Sequence, residues 1–337
     1  MRKRMLRSKR FYLVCVFAIV ILLSTMVLIR FYMGKQKAER EWHNQQPKIR
    51  KITNLGTTNT LEIMPLIDWH VSHKDLKREA GVSYLIKTDT STILFDVGLN
   101  RKKSDPSPLV HNMNQLGVGM DDIDTIFISH NHPDHVGGLK WLRLKTFSIT
   151  NRQVDLGQKR VYTPIPMTYP GLTPICAKYP TIISEGVATV GTISNQLFFG
   201  GWTPEQALAV NVKGKGIVLI VGCGHQTLPK LLQRTEALFA EPIFGLIGGL
   251  HYPVTGSRVV IGGVEFQRYV GTGKVPWRPI TMKEVQSNIE ILEQRNPKIV
   301  GVSGHDSCDA SIAAFRKAFP KSYQGIIVGE RIVIGQN

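Results

Sequence analysis

Cysteine is scarce in this 337-residue chain, with four in all at positions 15, 176, 223 and 308. Cys15 lies inside an apolar run, and the three that remain are too few and too odd in number for the disulfide framework of a small secreted domain. The fold must therefore rest on core packing, with a metal as the other available support. Acidic residues are also few, 25 against 42 Lys and Arg, for a formal charge of +17. That excess is concentrated at the front. Residues 1–51 hold 13 Lys/Arg and 2 Asp/Glu, which leaves 29 minus 23, or +6, for the other 286 residues. A body so mildly basic gives no reason to expect a nucleic-acid partner. The sequence also lacks internal repeats, low-complexity tracts, a glycine-rich phosphate loop and a Ser-His-Asp arrangement. P-loop nucleotide hydrolysis and covalent catalysis are thereby left without support.

Long apolar runs are equally rare, and one stands out. Residues 11–29 are uncharged, and their 19 positions are about enough to cross a hydrocarbon core of ~30 Å. The segment reads as a transmembrane helix that places the chain in a lipid bilayer. Six cations precede it, from Arg2 to Arg10, and Arg30, Lys35, Lys37 and Arg40 follow. This bias favours a single-pass protein of the cell membrane with a cytoplasmic N-terminus and the body outside the cytoplasm. A cleaved signal peptide is the alternative, but the run is longer than a usual apolar signal core and no A-x-A-like site follows it. The chain then divides into a basic segment (1–10), the membrane helix (11–29), a polar stalk (30–59) and a globular domain (60–337).

Within the domain, residues 61–67 read as a strand, 83–88 and 92–96 as a hairpin, and 125–129 as a buried strand. Further strands are expected at 216–221, 244–248, 298–302, 326–328 and 331–334. Residues 108–116 read as a helix ended by Gly117, and Met282, Val285, Ile289 and Leu292 recur at helical spacing before Pro297. Such interleaving is α/β, with mixed sheets covered by helices. Five strands end in polar residues: in Asp96, in the histidines at 130–135, in Cys223 and His225, near His251, and near His305. Loops at strand ends present side chains from a rigid base, so these five endings are expected to share one cleft.

The chemistry is densest at Ser129-His130-Asn131-His132-Pro133-Asp134-His135. Three imidazoles and a carboxylate follow a buried strand within six residues, a spacing that suits a loop with its side chains turned inward. Such ligands suit zinc, manganese or ferrous iron, and four in one loop can serve two ions. Gly137 and Gly138 let the chain enter the next helix close to the site.

The pattern His-x-His-x-Asp-His followed by Gly-Gly is similar to that of metallo-β-lactamase-fold proteins. Glu79 to Ile86, Leu94 to Gly98, Gly222-Cys223-Gly224-His225, Gly248-Gly249-Leu250-His251 and His305 resemble one branch of them. That branch is named after dihydropterin ribofuranosyl-aminobenzene phosphate synthase. The resemblance covers roughly residues 60–335 and implies an αββα sandwich, two mixed sheets face to face with helices outside. It further implies that His130, His132 and His225 hold a first metal and that Asp134, His135 and His305 hold a second. The pair would be two zinc ions, with manganese or iron as alternatives. Asp96 would orient the histidine loop. Many hydrolases of the family carry a bridging Asp where this chain has Cys223, which is either a thiolate ligand or a small buried side chain. His251 is a ligand, a substrate contact or a hydrogen-bonded neighbour.

Asp68 ends an apolar strand and is read either as a cleft residue that meets substrate or as a turn cap. Residues 254–279 form a Gly-rich loop in which Arg268 and Arg278 are candidate contacts for an anionic substrate group. The Pro-rich run at 164–180 reads as a rim loop. These readings converge on a membrane-anchored, metal-dependent hydrolase that uses a metal-bound hydroxide, with Asp134 as a catalytic ligand. Its substrate is a small molecule of the ester, lactone or phosphoester class. A pterin-type transferase or synthase of the same fold and a non-catalytic metal-binding membrane sensor stand as alternatives.

Overall fold

β-Branched and aromatic side chains concentrate in two sets of short segments, and each set pairs into a sheet. The structure, a computed structural model, describes residues 2–335. The first set is β1 (Thr60–Ile67), β2 (Ser83–Lys87), β3 (Thr92–Phe95), β4 (Thr125–Phe127), β5 (Arg160–Thr163) and β6 (Ile175–Cys176). The chain crosses to the second sheet through β7 (Thr181–Ser184) and β8 (Val187–Thr189). A hairpin of β9 (Ile193–Leu197) and β10 (Gly201–Glu205) then leads into β11 (Leu208–Val212), β12 (Gly216–Val221) and β13 (Ile243–Gly248). A small hairpin, β14 (Val260–Ile261) with β15 (Val264–Glu265), precedes β16 (Ile299–Val302), and β17 (Ile332–Gly335) returns to the first sheet.

The sheets run in the order β17-β1-β2-β3-β4-β5-β6 and β16-β13-β12-β11-β8-β7. Both are mixed. Antiparallel pairing at β1–β2–β3 gives way to parallel pairing at β3–β4–β5, and β11–β12 is antiparallel where β12–β13–β16 is parallel. The inner faces meet in a core where Tyr84, Phe95 and Phe127 stack at 6.0 and 5.3 Å between ring centres, opposite Leu208, Val210, Val218 and Ile220.

Helices cover both outer faces, which makes the four-layer αββα sandwich. Outside the first sheet lie α2 (Pro108–Gln115), α3 (Pro133–Val136) and α4 (Leu139–Leu144), packed through Leu109, Met113, Val136 and Trp141. Outside the second lie α5 (Leu228–Leu238), α7 (Met282–Glu293) and α8 (Asp309–Ala318), packed through Leu231, Val285, Ile289 and Phe315. The one-turn α6 (Phe266–Tyr269) follows β15. The strand expected at 326–328 is reduced to a single bridge from Val328 to Val71.

The N-terminal region differs from its sequence reading. Residues 11–29 are helical and outward-facing, with Phe17 67% and Leu22 60% exposed, and the helix is long and apolar enough to cross a membrane. However, α1 runs without a break from Arg2 to Gln45, so the expected polar stalk is helix over half its length. Phe31, Ala38 and Trp42 lie seven and four residues apart, on one face, and are buried against the domain. Lys35 Nζ donates to Asn195 Oδ1 at 2.7 Å, and Phe31 meets Phe198 at 5.3 Å between ring centres. Arg234 is fully buried beneath Trp42 and donates to Gln45 Oε1 at 2.9 Å. Beyond the helix, Leu55 enters the core behind the second sheet and Ile52 N donates to Leu238 O. Residues 30–59 are thus part of the folded body.

Candidate metal centre

All five strand endings singled out in the sequence meet at one edge of the sandwich. Asp96 follows β3, the histidine loop follows β4, Cys223 and His225 follow β12, His251 follows β13, and His305 follows β16. These strands are parallel neighbours within their sheets, so their C-terminal ends point the same way and the loops converge. Ligand atoms of His130, His132 and His225 lie within 4.8 Å of one another, as do those of Asp134, His135, Cys223 and His305. A third group, Cys223, His225 and His251, overlaps both. Glycine makes the approach feasible: a Cβ on Gly222 would stand 2.3 Å from Ser129 Oγ. Gly137 has φ +88°, and a side chain there would strike the Ser148 carbonyl.

Each histidine has one ring nitrogen committed to the protein. Carboxylate and carbonyl oxygens only accept, so His135 Nδ1 donates to Asp96 Oδ2 (2.6 Å), His225 Nδ1 to Gly271 O (2.7 Å) and His251 Nε2 to Gln267 O (3.2 Å). Ser129 Oγ donates to Asp96 Oδ2 (2.6 Å) and so receives His130 Nδ1–H (2.9 Å). Ser303 Oγ donates to Asp68 Oδ2 and receives His305 Nδ1–H, both at 2.5 Å. His132 pairs Nε2 with Thr203 Oγ1 at 3.3 Å. On His130, His225, His251 and His305 the other nitrogen is left as a lone pair facing the centre. His130 Nε2 and His251 Nδ1 are buried with no hydrogen-bond partner. His132 Nδ1 and His225 Nε2 face each other at 3.1 Å. Orphaned lone pairs converging in this way fit a cation.

Electrostatics agree. Burial, followed by the neighbouring rings, holds His130 and His225 well below the usual imidazole range and His132 at about 3. Burial likewise depresses His305, and lowers His251 to about 4. These rings are neutral at pH 7, the form that ligates metal. His135 is the exception. Burial opposes its charge, but Asp96 and then Asp134 outweigh burial and raise it to about 9. Without a cation it therefore carries a second proton on Nε2, directed at Cys223 Sγ 3.0 Å away. Burial and then Asp134 push the Cys223 thiol well up. A divalent ion would take the place of both protons.

Asp68 is not a substrate contact. It is fully buried, accepts from Tyr84 Oη at 3.0 Å as well as from Ser303, and receives the Gly304 and Trp69 N–H groups. Its effect reaches the centre through Ser303 and His305. Arg268 and Arg278 also lie outside the cleft. They line a separate cavity of about 890 Å³ beside Phe31, Lys35 and Trp277, and Arg268 faces Glu265 at 3.8 Å. Their loop contributes other residues to the cleft instead, namely Val259, Phe266, Gln267, Val270 and Gly271. Ile165 and Pro166 place the Pro-rich run on the rim, as expected.

Glu205 went unnoticed in the sequence. It is fully buried, and Oε1 accepts from Cys223 N and Gly224 N (both 2.9 Å) while Oε2 accepts from His225 N (2.7 Å). One carboxylate thus fixes the whole Cys223 to His225 turn. Asp306 similarly receives His251 N at 2.9 Å, and Gln267 Nε2 donates to His305 O at 2.7 Å. The centre forms the floor of a cavity of about 800 Å³, and Asp134 reaches it with its side chain 22% exposed.

Comparison with known proteins gives the same picture. Residues 76–148, which include the histidine loop, match the model of the metallo-beta-lactamase superfamily. The chain is 19% identical over 270 residues to 7,8-dihydropterin-6-methyl-4-(beta-D-ribofuranosyl)-aminobenzene-5'-phosphate synthase of Methanocaldococcus jannaschii, covering 66% of this chain and 88% of that protein. It is 38% identical over 56 residues to the anti-Pycsar protein Apyc1 of Saccharibacillus brassicae, covering 17% of this chain and 20% of that one. Among solved structures, Tm1679, described as a metal-dependent hydrolase of the beta-lactamase superfamily, superposes with a TM-score of 0.54 at 18% identity, covering 82% of this chain and 100% of that one. With its four layers and the match of residues 76–148, which hold the histidine loop, the chain has the metallo-beta-lactamase fold.

Proposed function

We propose that the protein is a membrane-anchored, metal-dependent hydrolase of ester, lactone or phosphoester bonds, with two divalent ions, zinc by its donor set. The observation that carries this reading is the pair of ligand groups, linked through a third set of Cys223, His225 and His251, on the floor of an open cavity. His130, His132 and His225 would hold one ion, and Asp134, His135 and His305 the other, with Cys223 between them. His251 lies close enough to serve either the first group or a substrate. Divalent ions there would supply an activated water at neutral pH and a Lewis acid for the carbonyl or phosphoryl oxygen.

The chain's own residues do the rest. Asp96, Ser129, Ser303 with Asp68, and the Gly271 carbonyl fix which nitrogen of each ring faces inward. Glu205 holds the third ligand of the first group in place. Asp134 lines the cleft with its side chain 22% exposed, so it is placed to take the proton lost by the attacking water. In hydrolysis the water oxygen bonds to the acyl or phosphoryl centre, the bond to the leaving oxygen breaks, and that oxygen takes up a proton. The apolar helix at 11–29 supports a single-pass anchor, and the excess of cations before it supports a cytoplasmic N-terminus with the domain outside.

The test is a panel of chromogenic lactone, carboxyl-ester, β-lactam and phosphodiester substrates with the metal-loaded full chain. At least one class should be turned over, and Asp134→Ala should slow that turnover at least 100-fold. Unchanged rates in Asp134→Ala would move the chemistry elsewhere. The similarity to a synthase favours one second reading, transfer to an acceptor other than water. Product that appears only when an alcohol or amine acceptor is added would select it.

A further inference from the structure

The walls of the cleft are apolar. Leu99, Leu142, Ile165, Leu197, Phe199 and Val270 line it, and among the described residues Lys145 is the one lysine or arginine that does. Its rim is apolar as well. Among the described residues beyond position 33, eleven large apolar side chains are exposed, and seven of them belong to three segments that wall the cleft. These are Leu139 and Leu144 on α4, Phe199 at the β9–β10 turn, and Val260, Ile261, Val264 and Phe266 at the β14–β15 hairpin. Phe199 and Phe266 line the cleft themselves, and the other five sit on segments next to its lining residues Leu142, Lys145 and Val259; exposed apolar groups clustered in this way mark a contact surface.

The β9–β10 hairpin ties that rim to the membrane helix. Phe198 touches Phe31, two residues past the apolar run, and Trp277 stacks edge-on against Phe198 at 5.8 Å while 61% exposed. Lys37 lies over the Trp202 ring at 4.3 Å, and Arg30 stands against Gly201. Aromatic and cationic side chains of this kind suit the headgroup layer of a bilayer. The same hairpin reaches the metal centre. A Cβ on Gly200 would lie 3.6 Å from His132 Nε2, and Asn195 links Lys35 to the His225 carbonyl through bonds of 2.7 and 2.6 Å. A few residues thus separate the point where α1 leaves the apolar run from the floor of the cleft.

We infer that the mouth of the cleft rests on the bilayer that α1 enters, and that the substrate is an acyl-chain amphiphile drawn from it. The chain of that molecule lies along the apolar walls, and its ester or phosphoester head meets the histidines. The inference rests on the hydrolase reading and on the insertion of residues 11–29.

Its test uses the full chain in phosphatidylcholine vesicles doped with a phosphatidylcholine carrying a diazirine in one acyl chain, irradiated and mapped by mass spectrometry. Label is expected in α1 and also on peptides containing Phe199, Ile261 and Phe266. Label in α1 alone would overturn the inference and leave the rim to a protein partner, and no label in α1 would overturn it together with the anchor. A second arm compares p-nitrophenyl palmitate carried in the vesicles with soluble p-nitrophenyl butyrate. Ile261→Ser combined with Val264→Ser should cut turnover of the palmitate at least five-fold and leave the butyrate unchanged, and equal losses would count against the inference. If neither ester is cleaved while the rim is labelled, the choice of hydrolysis falls and the membrane contact stands.

Discussion

Cys223 places a sulfur in the group of Asp134, His135 and His305, 3.0 Å from His135 Nε2 and 3.2 Å from His305 Nε2, with His225 also within 4.8 Å. A soft, polarisable ligand there would favour zinc over harder ions. Cys223→Ala is expected to weaken binding at the group of Asp134, His135 and His305 by at least ten-fold, seen by elemental analysis after dialysis against stepped zinc concentrations. The group of His130, His132 and His225 should keep its ion. Residues that act by occupying space near an ion leave a trace in the sequence, and the run from His130 to His135 was legible for that reason. Cys223, His225, His251 and His305 were legible because each follows an apolar strand. Glu205 was not. It acts on backbone N–H groups 18 to 20 residues away, and such bonds depend on no residue type at the receiving end. Asp68 was open to misreading for the opposite reason: an acid at a strand end has the same appearance whether it faces a substrate or, as here, holds a serine that holds a histidine.

At the level of elements, α1 is where charge misled. Lys35, Lys37, Glu39, Arg40 and Glu41 look like a solvated tether, yet Phe31, Ala38 and Trp42 mark a face that is buried. The spacing was visible, but three residues are few against so much charge. Removing residues 1–29 should give a chain that leaves the membrane fraction with its thermal stability intact. Removing residues 1–45 should in addition uncover Arg234 and lose two buried aromatics, at about 2 kcal/mol each. The melting temperature should then fall by roughly 6 °C, read by circular dichroism. Equal melting temperatures for the two shortened chains would mean that the docked part of α1 contributes nothing. Strands between β7 and β11 were missed because β9 and β11 are buried at every position, which leaves no alternation to detect. Helices α5 and α8 were also missed, although Leu228, Leu231, Leu232 and Leu238 of α5 and Ile312 and Phe315 of α8 are buried at helical spacing.

For the molecule as a whole, the centre joins the two sheets. His130 and Asp96 come from the first, and Cys223, His251 and His305 come from the second. Chelation should therefore lower the melting temperature as well as abolish turnover, and a chelated chain of unchanged stability would contradict the joint. The pH dependence of the chelated chain has a definite sign. Unfolded imidazoles take up protons near a pKa of ~6.5, while the buried rings resist, His251 to about 4 and His132 to about 3. The stability these rings contribute is therefore full above that value and is lost as the pH falls through the window towards the folded pKa values; His135, raised to about 9, acts in the opposite sense but is a single group, and urea melts at pH 7.5 and pH 5 would read the net loss. The αββα arrangement itself was legible from interleaved strands and helices together with the resemblance of the histidine loop.

One consequence concerns how such a protein can change over generations. The ligands and their hydrogen-bond partners serve the seam and the chemistry at once, so a substitution there is penalised twice. The rim at α4, the β9–β10 turn and the β14–β15 hairpin supplies none of the ligand groups. New specificities are free to arise on that border while the histidines behind it stay fixed.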